Sequence, residues 1–299
     1  MGRSGGEGCA MSMLFRVTLI ISVILGLPII IFYLASNFVA SAVGASLGIV
    51  FLLLYCLLVV WLLSLSPMWP DRVGAGWKWV ASCLIWGGGV SFIFVLIAGF
   101  PLTSLVDKAG WDLVAASFGG AYPEEIAKFL GVGVILFAFR SLNRPWHGLM
   151  TGALVGLGFE ALENALYGAM GATLDANSDT AGVLFLWGVR LVVGPALHIV
   201  FTALAGWGLG LALFTANKST AWRWMTAGWW LFVAFALHFA WNLMWPSNVL
   251  LIVNYIVVAA VMYPIVIWVW VRAHRLCKAD TSYSFTQRPL SSVEALSRG

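Results

Sequence analysis

Glutamates, histidines, a lysine, an arginine and an asparagine stand in stretches of this sequence that otherwise hold almost no charge. Glu124, Glu125 and Lys128 lie in one apolar run, Glu160, Glu163 and Asn164 in the next, Arg190 and His198 in a third, and His238 and Asn242 in a fourth. Their spacing is helical. Glu124 and Lys128 are i,i+4 and can pair on one face. Glu160, Glu163 and Asn164 form a stripe at i, i+3 and i+4, His238 and Asn242 are again i,i+4, and Arg190 and His198 are roughly two turns apart. Carboxylates, imidazoles, an ammonium and a carboxamide in one pocket suit hydrolysis. A glutamate would take a proton from water while a histidine or Asn242 holds the developing oxyanion. A second chemistry stays open beside it. His198 and His238 with a glutamate, Glu163 being the candidate, could hold a divalent metal such as zinc with a bound water. The sequence does not separate a metal-bound from a metal-free site, and it holds no HExxH pair.

Whatever positions these groups must be buried in lipid. The chain is 62% hydrophobic and 9% charged, against roughly 25% charged in soluble domains. Mean hydropathy is +0.96. The sequence is therefore that of a polytopic, all-α membrane protein, because a bilayer leaves no backbone amide unpaired. Apolar segments long enough to span run roughly over 17–39, 42–65, 79–101, 112–139, 148–170, 183–214, 224–245 and 248–271, about eight transmembrane helices in all. Ala40-Ser41-Ala42 resembles a signal-peptide cleavage site, but the preceding apolar run is too long for a typical h-region, so an uncleaved helix is expected. Basic residues such as Arg16, Arg72, Lys78, Arg140, Arg144, Lys218, Arg223, Arg272 and Lys278 fall in alternate loops. The others hold Lys108 beside Asp107, Asp112, Asp175 and Asp179. The positive-inside rule then puts both termini in the cytoplasm. The pI near 9.0 reflects these loops and implies no nucleic-acid partner. Residues 1–278 read as one transmembrane domain and the Ser-rich 279–299 as a disordered cytoplasmic tail. Without a CxxC, the cysteines support neither a disulfide framework nor a zinc knuckle.

Charges inside a bilayer cost about 2.5–3.5 kcal/mol each on insertion scales, so these groups are functional candidates by default. They occupy spans four to seven only, which points to a core of those four helices. Counting at 1.5 Å per residue puts Glu124, Glu163, His198 and His238 each roughly 20–28 Å from the cytoplasmic end of its span. Two spans carry break signals. Gly119-Gly120 with Pro123 would start a half-helix at Glu124 and Glu125, and Gly194-Pro195 precedes His198. A break beside a buried ionisable group is what a wet cavity requires.

These residues also carry a family resemblance. Glu124-Glu125-Ile126-Ala127-Lys128 resembles the EExxK motif of the PrsW-type intramembrane proteases. Phe159 through Glu163-Asn164 resembles their FxxxE(N) element, Arg190 with His198 and Thr202 their single-histidine element, and His238 through Trp241-Asn242 their HxxWN element. The ordered set covers about 112–245 on four successive spans. It is shared distantly with type II CAAX prenyl endopeptidases and with a non-proteolytic γ-secretase subunit family. The resemblance implies an intramembrane endopeptidase acting on membrane-anchored proteins, such as anti-sigma-factor-like regulators, in a bacterial-type cytoplasmic membrane. It implies catalytic roles for Glu124, Glu125, Glu163, His198 and His238, with Lys128 and Asn242 supporting. The family is often described as metalloproteases, while related enzymes are thought to work without metal. Glu160 is an addition to the pattern.

Plainer readings exist for each group. The Glu124–Lys128 pair could only fix helix packing, Glu160 could bond a neighbouring helix, and Arg190 reads best as the neutraliser of a carboxylate. The histidines could be interhelical hydrogen bonds, Trp241 a packing aromatic, and Gly87-Gly88-Gly89 a site of close helix approach. His147 and His274 fall in predicted cytoplasmic loops and are given no role. Two rival functions remain. A proton-coupled transporter would use the same groups as a relay, although no inverted repeat is visible. A non-catalytic scaffold would use them as assembly glue.

Overall fold

The computed structural model describes residues 4–70 and 75–280, with side chains from Met13 onward. Arg3, Arg72 and the predicted tail from residue 281 lie outside the described residues. Every regular element among the described residues is helical. In chain order they are α1 (Ser4–Ala40), α2 (Ala42–Ser64), α3 (Gly76–Lys108), α4 (Tyr122–Ala138), α5 (Pro145–Leu174), α6 (Asp179–Val193), α7 (Leu197–Phe214), α8 (Thr220–Trp241) and α9 (Asn248–Ala279).

Five helical stretches among the described residues are long and apolar enough to cross a membrane: Met13–Ala40, Ala42–Ser64, Gly76–Lys108, Asp179–Phe214 and Asn248–Ala279. The first, second and last are only 11%, 6% and 11% buried in their most apolar windows. Such contiguous apolar surface would be ruinous in water and is ordinary against acyl chains. The chain is an integral membrane protein. The helices outside that set, α4, α5 and α8, are the ones that carry Glu124 to Lys128, Glu160 to Asn164, and His238.

The core forms around α5, which is buried along almost its whole length and packs most extensively on α7, then on α3, α2 and α6, with α4 also against it. Lipid gives helices no hydrophobic reason to associate, so close van der Waals packing must hold them. Gly148, Gly152 and Gly156 repeat at i,i+4 on the α5 face turned to α7, and a Cβ at Gly156 would overlap the carbonyl oxygen of His198. Close approach is also what Gly87-Gly88-Gly89 serves. A Cβ at Gly87 would overlap the carbonyl of Val155 on α5, and one at Gly89 the carbonyl of Gly26 on α1. There α3 widens into a π-helical turn, Trp86–Val90. Trp86 Nε1 donates to the Ala127 carbonyl at 3.0 Å, and Trp79 Nε1 to Thr151 Oγ1 at 3.1 Å, so α3 is pinned to both α4 and α5.

The two expected breaks differ in kind. Around Gly119-Gly120 the helix does not unwind. It runs through a π turn, Ser117–Ala121, into α4, with Pro123 in the first α-helical turn. Glycine lets the turn widen without losing its hydrogen bonds, so Glu124 and Glu125 stand in a continuous helix rather than at a free N-terminus. At Gly194-Pro195-Ala196 the chain does break: Ala196 takes φ +60° and α7 starts afresh at Leu197. His147 is not in a loop. It is fully buried in the first turn of α5, where its Nδ1 accepts the Asn143 N–H at 3.0 Å. His274 lies within α9.

Candidate functional site

Glu124, Glu125 and Lys128 project from the first turns of α4 towards α7 and α8. Lys128 is fully buried, and its Nζ lies 2.6 Å from Glu125 Oε1 and 3.4 Å from Glu124 Oε2. It also lies 3.1 Å from His198 Nδ1. An ammonium can only donate, so His198 accepts at Nδ1 and donates Nε2–H to Glu163 Oε2, 2.9 Å away. Arg190 closes this side by pairing with Glu163 and donating Nε–H to Asn164 Oδ1 at 2.7 Å. Its guanidinium lies 4.7 Å over the Tyr167 ring.

The second histidine is held in the same manner. His238 Nδ1 is 2.8 Å from Glu125 Oε1, and its Nε2 is 3.1 Å from Asn242 Nδ2. With a carboxylate acceptor on one side and an amide donor on the other, His238 carries its proton on Nδ1 and presents the Nε2 lone pair. The two imidazoles stand 5.0 Å apart, nearly perpendicular, and Phe201 stacks on His238 at 4.8 Å. All five predicted catalytic residues therefore meet in one cluster, with Lys128, Arg190, Asn164 and Asn242 attached to it.

A cavity of about 530 Å³ opens onto part of this cluster. Glu124, Glu163, Arg190, His198, His238 and Asn242 line it, and Glu125 and Lys128 do not. The adjacent acids are thus unequal: Glu124 faces the cavity, while Glu125 lies behind, 1% exposed, holding Lys128 and His238. Gly120 lines this space without a side chain. A Cβ there would come within 3.1 Å of Asn242 Nδ2 and 3.2 Å of Glu124 Oε1.

Donor chemistry suits a metal ion. Glu124, Glu125, His198 and His238 each offer one ligand atom, and these lie within 4.8 Å of one another. Glu124 Oε2 is 3.6 Å from His198 Nδ1 and 3.9 Å from His238 Nε2. Each imidazole has its remaining nitrogen on a carboxylate, Glu163 or Glu125, the outer-layer arrangement that orients metal-binding histidines. The group also carries more carboxylates than fixed cations, Glu124, Glu125, Glu160 and Glu163 against Lys128 and Arg190. Two imidazoles and a carboxylate are donors that suit a divalent cation such as zinc, which would have to displace Lys128 Nζ from the His198 Nδ1 lone pair it now occupies at 3.1 Å.

The sequence pattern of the family described as "PrsW family intramembrane metalloprotease" matches residues 75–269. This chain belongs to that family. "Protease PrsW" from Geobacillus kaustophilus (strain HTA426) is 25% identical over 139 residues, covering 44% of this chain and 57% of that relative's length. No solved structure matches the chain. The stretch matched to the PrsW family holds every residue of the cluster and runs beyond 112–245 at both ends, to include α3 and much of α9.

Some participants carried no signal that motif reading used. Tyr55, on α2, donates its hydroxyl to Glu160 Oε1 at 2.7 Å. Tyr167, Trp245 and Tyr255 line the cavity from α5, the α8–α9 connection and α9, and Trp241 stacks on Tyr255 at 4.5 Å. A string that does match a hydrolase pattern, Gly44-Ala45-Ser46-Leu47-Gly48 (GxSxG), lies inside α2 with Ser46 exposed. That motif acts at a sharp strand-to-helix turn. Here its glycines serve packing against Ala165, Ala169 and Ala172.

Proposed function

We propose that this protein is an intramembrane endopeptidase that hydrolyses peptide bonds of membrane-anchored proteins, with regulators of the anti-sigma-factor type as one substrate class. The observation that carries the reading is the cavity wall itself. Glu124, Glu163, His198, His238 and Asn242 face one space inside a bundle whose exterior is apolar. Proton transfer, charge stabilisation and room for a peptide carbonyl come together there.

Each residue has a role in this reading. Glu124 is the general base. Glu163 is committed to Arg190 and His198, whereas Glu124 has only the longer 3.4 Å approach of Lys128 as a fixed cation, and it lines the cavity with its Oε1 beside Gly120. Asn242, whose Nδ2 also lies beside Gly120, donates Nδ2–H to the developing oxyanion from the same cavity wall. His238, aligned by Glu125 and with Nε2 3.9 Å from Glu124 Oε2, receives from Glu124 the proton taken from water and passes it to the leaving amine. Lys128 balances the paired acids, and Arg190 with Asn164 fixes Glu163, which in turn fixes His198. A divalent cation, where bound, would be held by His198, His238 and Glu124 and would supply Lewis acidity and a more acidic water.

The topology that goes with this reading has about eight spans. α6 and α7 form one broken span, the core comes from spans four to seven, and both termini are cytoplasmic in a bacterial-type cytoplasmic membrane. The test is cleavage of a single-span substrate by purified protein in proteoliposomes. Wild type cleaves, and Glu124→Gln, which keeps shape and loses the base, is slower by roughly 10²–10⁴-fold, the range for a positioned general base. A folded Glu124→Gln that cleaves at the wild-type rate removes Glu124 from the mechanism. Proton-driven flux without cleavage would replace the hydrolase by a transporter.

A further inference from the structure

The start of α7 lacks its own cap. A helix leaves its first N–H groups without internal partners, and an N-cap side chain normally accepts those of the second and third helical residues. Here the N-cap is Ala196, in the left-handed conformation at φ +60°, preceded by Pro195, and no local side chain reaches the helix start. The second and third residues of α7 are His198 and Ile199. Their N–H groups both donate to Glu160 Oε2, at 3.0 and 3.3 Å. Glu160 belongs to a different helix, α5, and is 2% exposed. Its other oxygen accepts the Tyr55 hydroxyl at 2.7 Å.

We infer that Glu160, held by Tyr55, is a positioning residue for His198: it caps α7 from a neighbouring helix and so sets the point in the cavity that the His198 ring reaches. The inference rests on the functional reading above for its consequence in catalysis, and not for its geometry. In lipid an uncapped break would leave two amides without partners, a desolvation penalty that no solvent would relieve. The carboxylate removes that cost and places negative charge where the α7 dipole favours it. Packing makes the arrangement specific. Gly156, one turn before Glu160, lets the α7 backbone touch α5 at His198, so the Glu160 side chain arrives at the amide of the same residue. The ring of His198 then falls between Lys128 and Glu163. One carboxylate thus fixes the backbone of a residue whose ring is held by an ammonium and a second carboxylate.

The experiment compares Glu160→Ala, Glu160→Gln and Tyr55→Phe in the full-length protein. It reads amide hydrogen exchange over residues 197–200 by mass spectrometry, the His198 ring signals by ¹⁵N NMR, and kcat and KM separately on the single-span substrate. In Glu160→Ala the two amides exchange faster, the His198 signal shifts or splits, and kcat per folded molecule falls by about 100-fold with KM little changed, the scale expected for a misplacement of about 1 Å. Glu160→Gln keeps an acceptor oxygen and restores most of the protection. Tyr55→Phe removes one hydroxyl only, folds if Glu160→Ala does not, and gives the same His198 change at smaller amplitude. Unchanged exchange and an unchanged His198 signal in a folded Glu160→Ala, or in Tyr55→Phe where the former fails to fold, overturn the inference. If wild type cleaves nothing, the proteolytic reading fails while the exchange and NMR arms still decide the cap.

Discussion

Replacing Lys128 by methionine keeps most of the side-chain volume and removes the one ammonium at the centre of the cluster. Its Nζ is fully buried, 2.6 Å from Glu125 and 3.4 Å from Glu124. Taking one partner from a buried, hydrogen-bonded ion pair costs about 3–5 kcal/mol, because the other charge stays buried and uncompensated. At about 2 °C per kcal/mol for a chain of this size, that is a fall in Tm of roughly 6–10 °C. Intrinsic Trp fluorescence on heating in detergent measures it. The double variant Lys128→Met/Glu125→Gln removes the stranded charge as well, so it should recover more than half of the lost stability, a coupling of the size that contacting residues show, about 0.5–3 kcal/mol. Activity should not recover with it, because Glu125 also accepts the His238 Nδ1–H. A Lys128→Met protein within about 1 kcal/mol of wild type would refute the reasoning. A double variant no more stable than the single would do the same.

Gly120→Val should lose at least about 10²-fold in kcat/KM per folded molecule, since its branches would fill the space between Glu124 Oε1 and Asn242 Nδ2; full activity would place substrate elsewhere. Gly156→Leu drives a side chain into the His198 carbonyl and should destabilise by more than the usual 1–3 kcal/mol of overpacking. Its thermal melt, set beside that of Gly228→Leu, where nothing lies within 4 Å, isolates the packing effect. For the metal donors, equilibrium dialysis against zinc should show less uptake by His198→Ala/His238→Ala than by wild type, and equal uptake would show that these imidazoles are not ligands.

Much of the site was legible because lipid makes charge conspicuous. In a chain 9% charged, a glutamate in an apolar run stands out as it never would in a soluble protein. Helical spacing then correctly paired Glu124 with Lys128 and His238 with Asn242. The depth count brought four helices to one layer, and the structure shows the side chains themselves converging. The Gly194-Pro195 break was readable from the residues themselves. Gly119-Gly120 was not, because two glycines permit either an unwound chain or a π turn and only the neighbours choose. His147 was misread as a loop residue since burial at the end of α5 depends on what packs over it.

Composition and residue type alone determined that this is a helical membrane protein and which side chains were costly enough to need a reason. Distances along a single helix follow from its fixed rise and twist, so contacts three or four residues apart could be read from the chain. Contacts between helices depend on rotation, tilt and backbone approach, which no local pattern encodes. The tertiary structure therefore decided that Glu124 faces the cavity while its neighbour Glu125 turns behind it. It also decided that Glu160 reaches the amides of α7, and that Tyr55, outside every motif, holds Glu160 there.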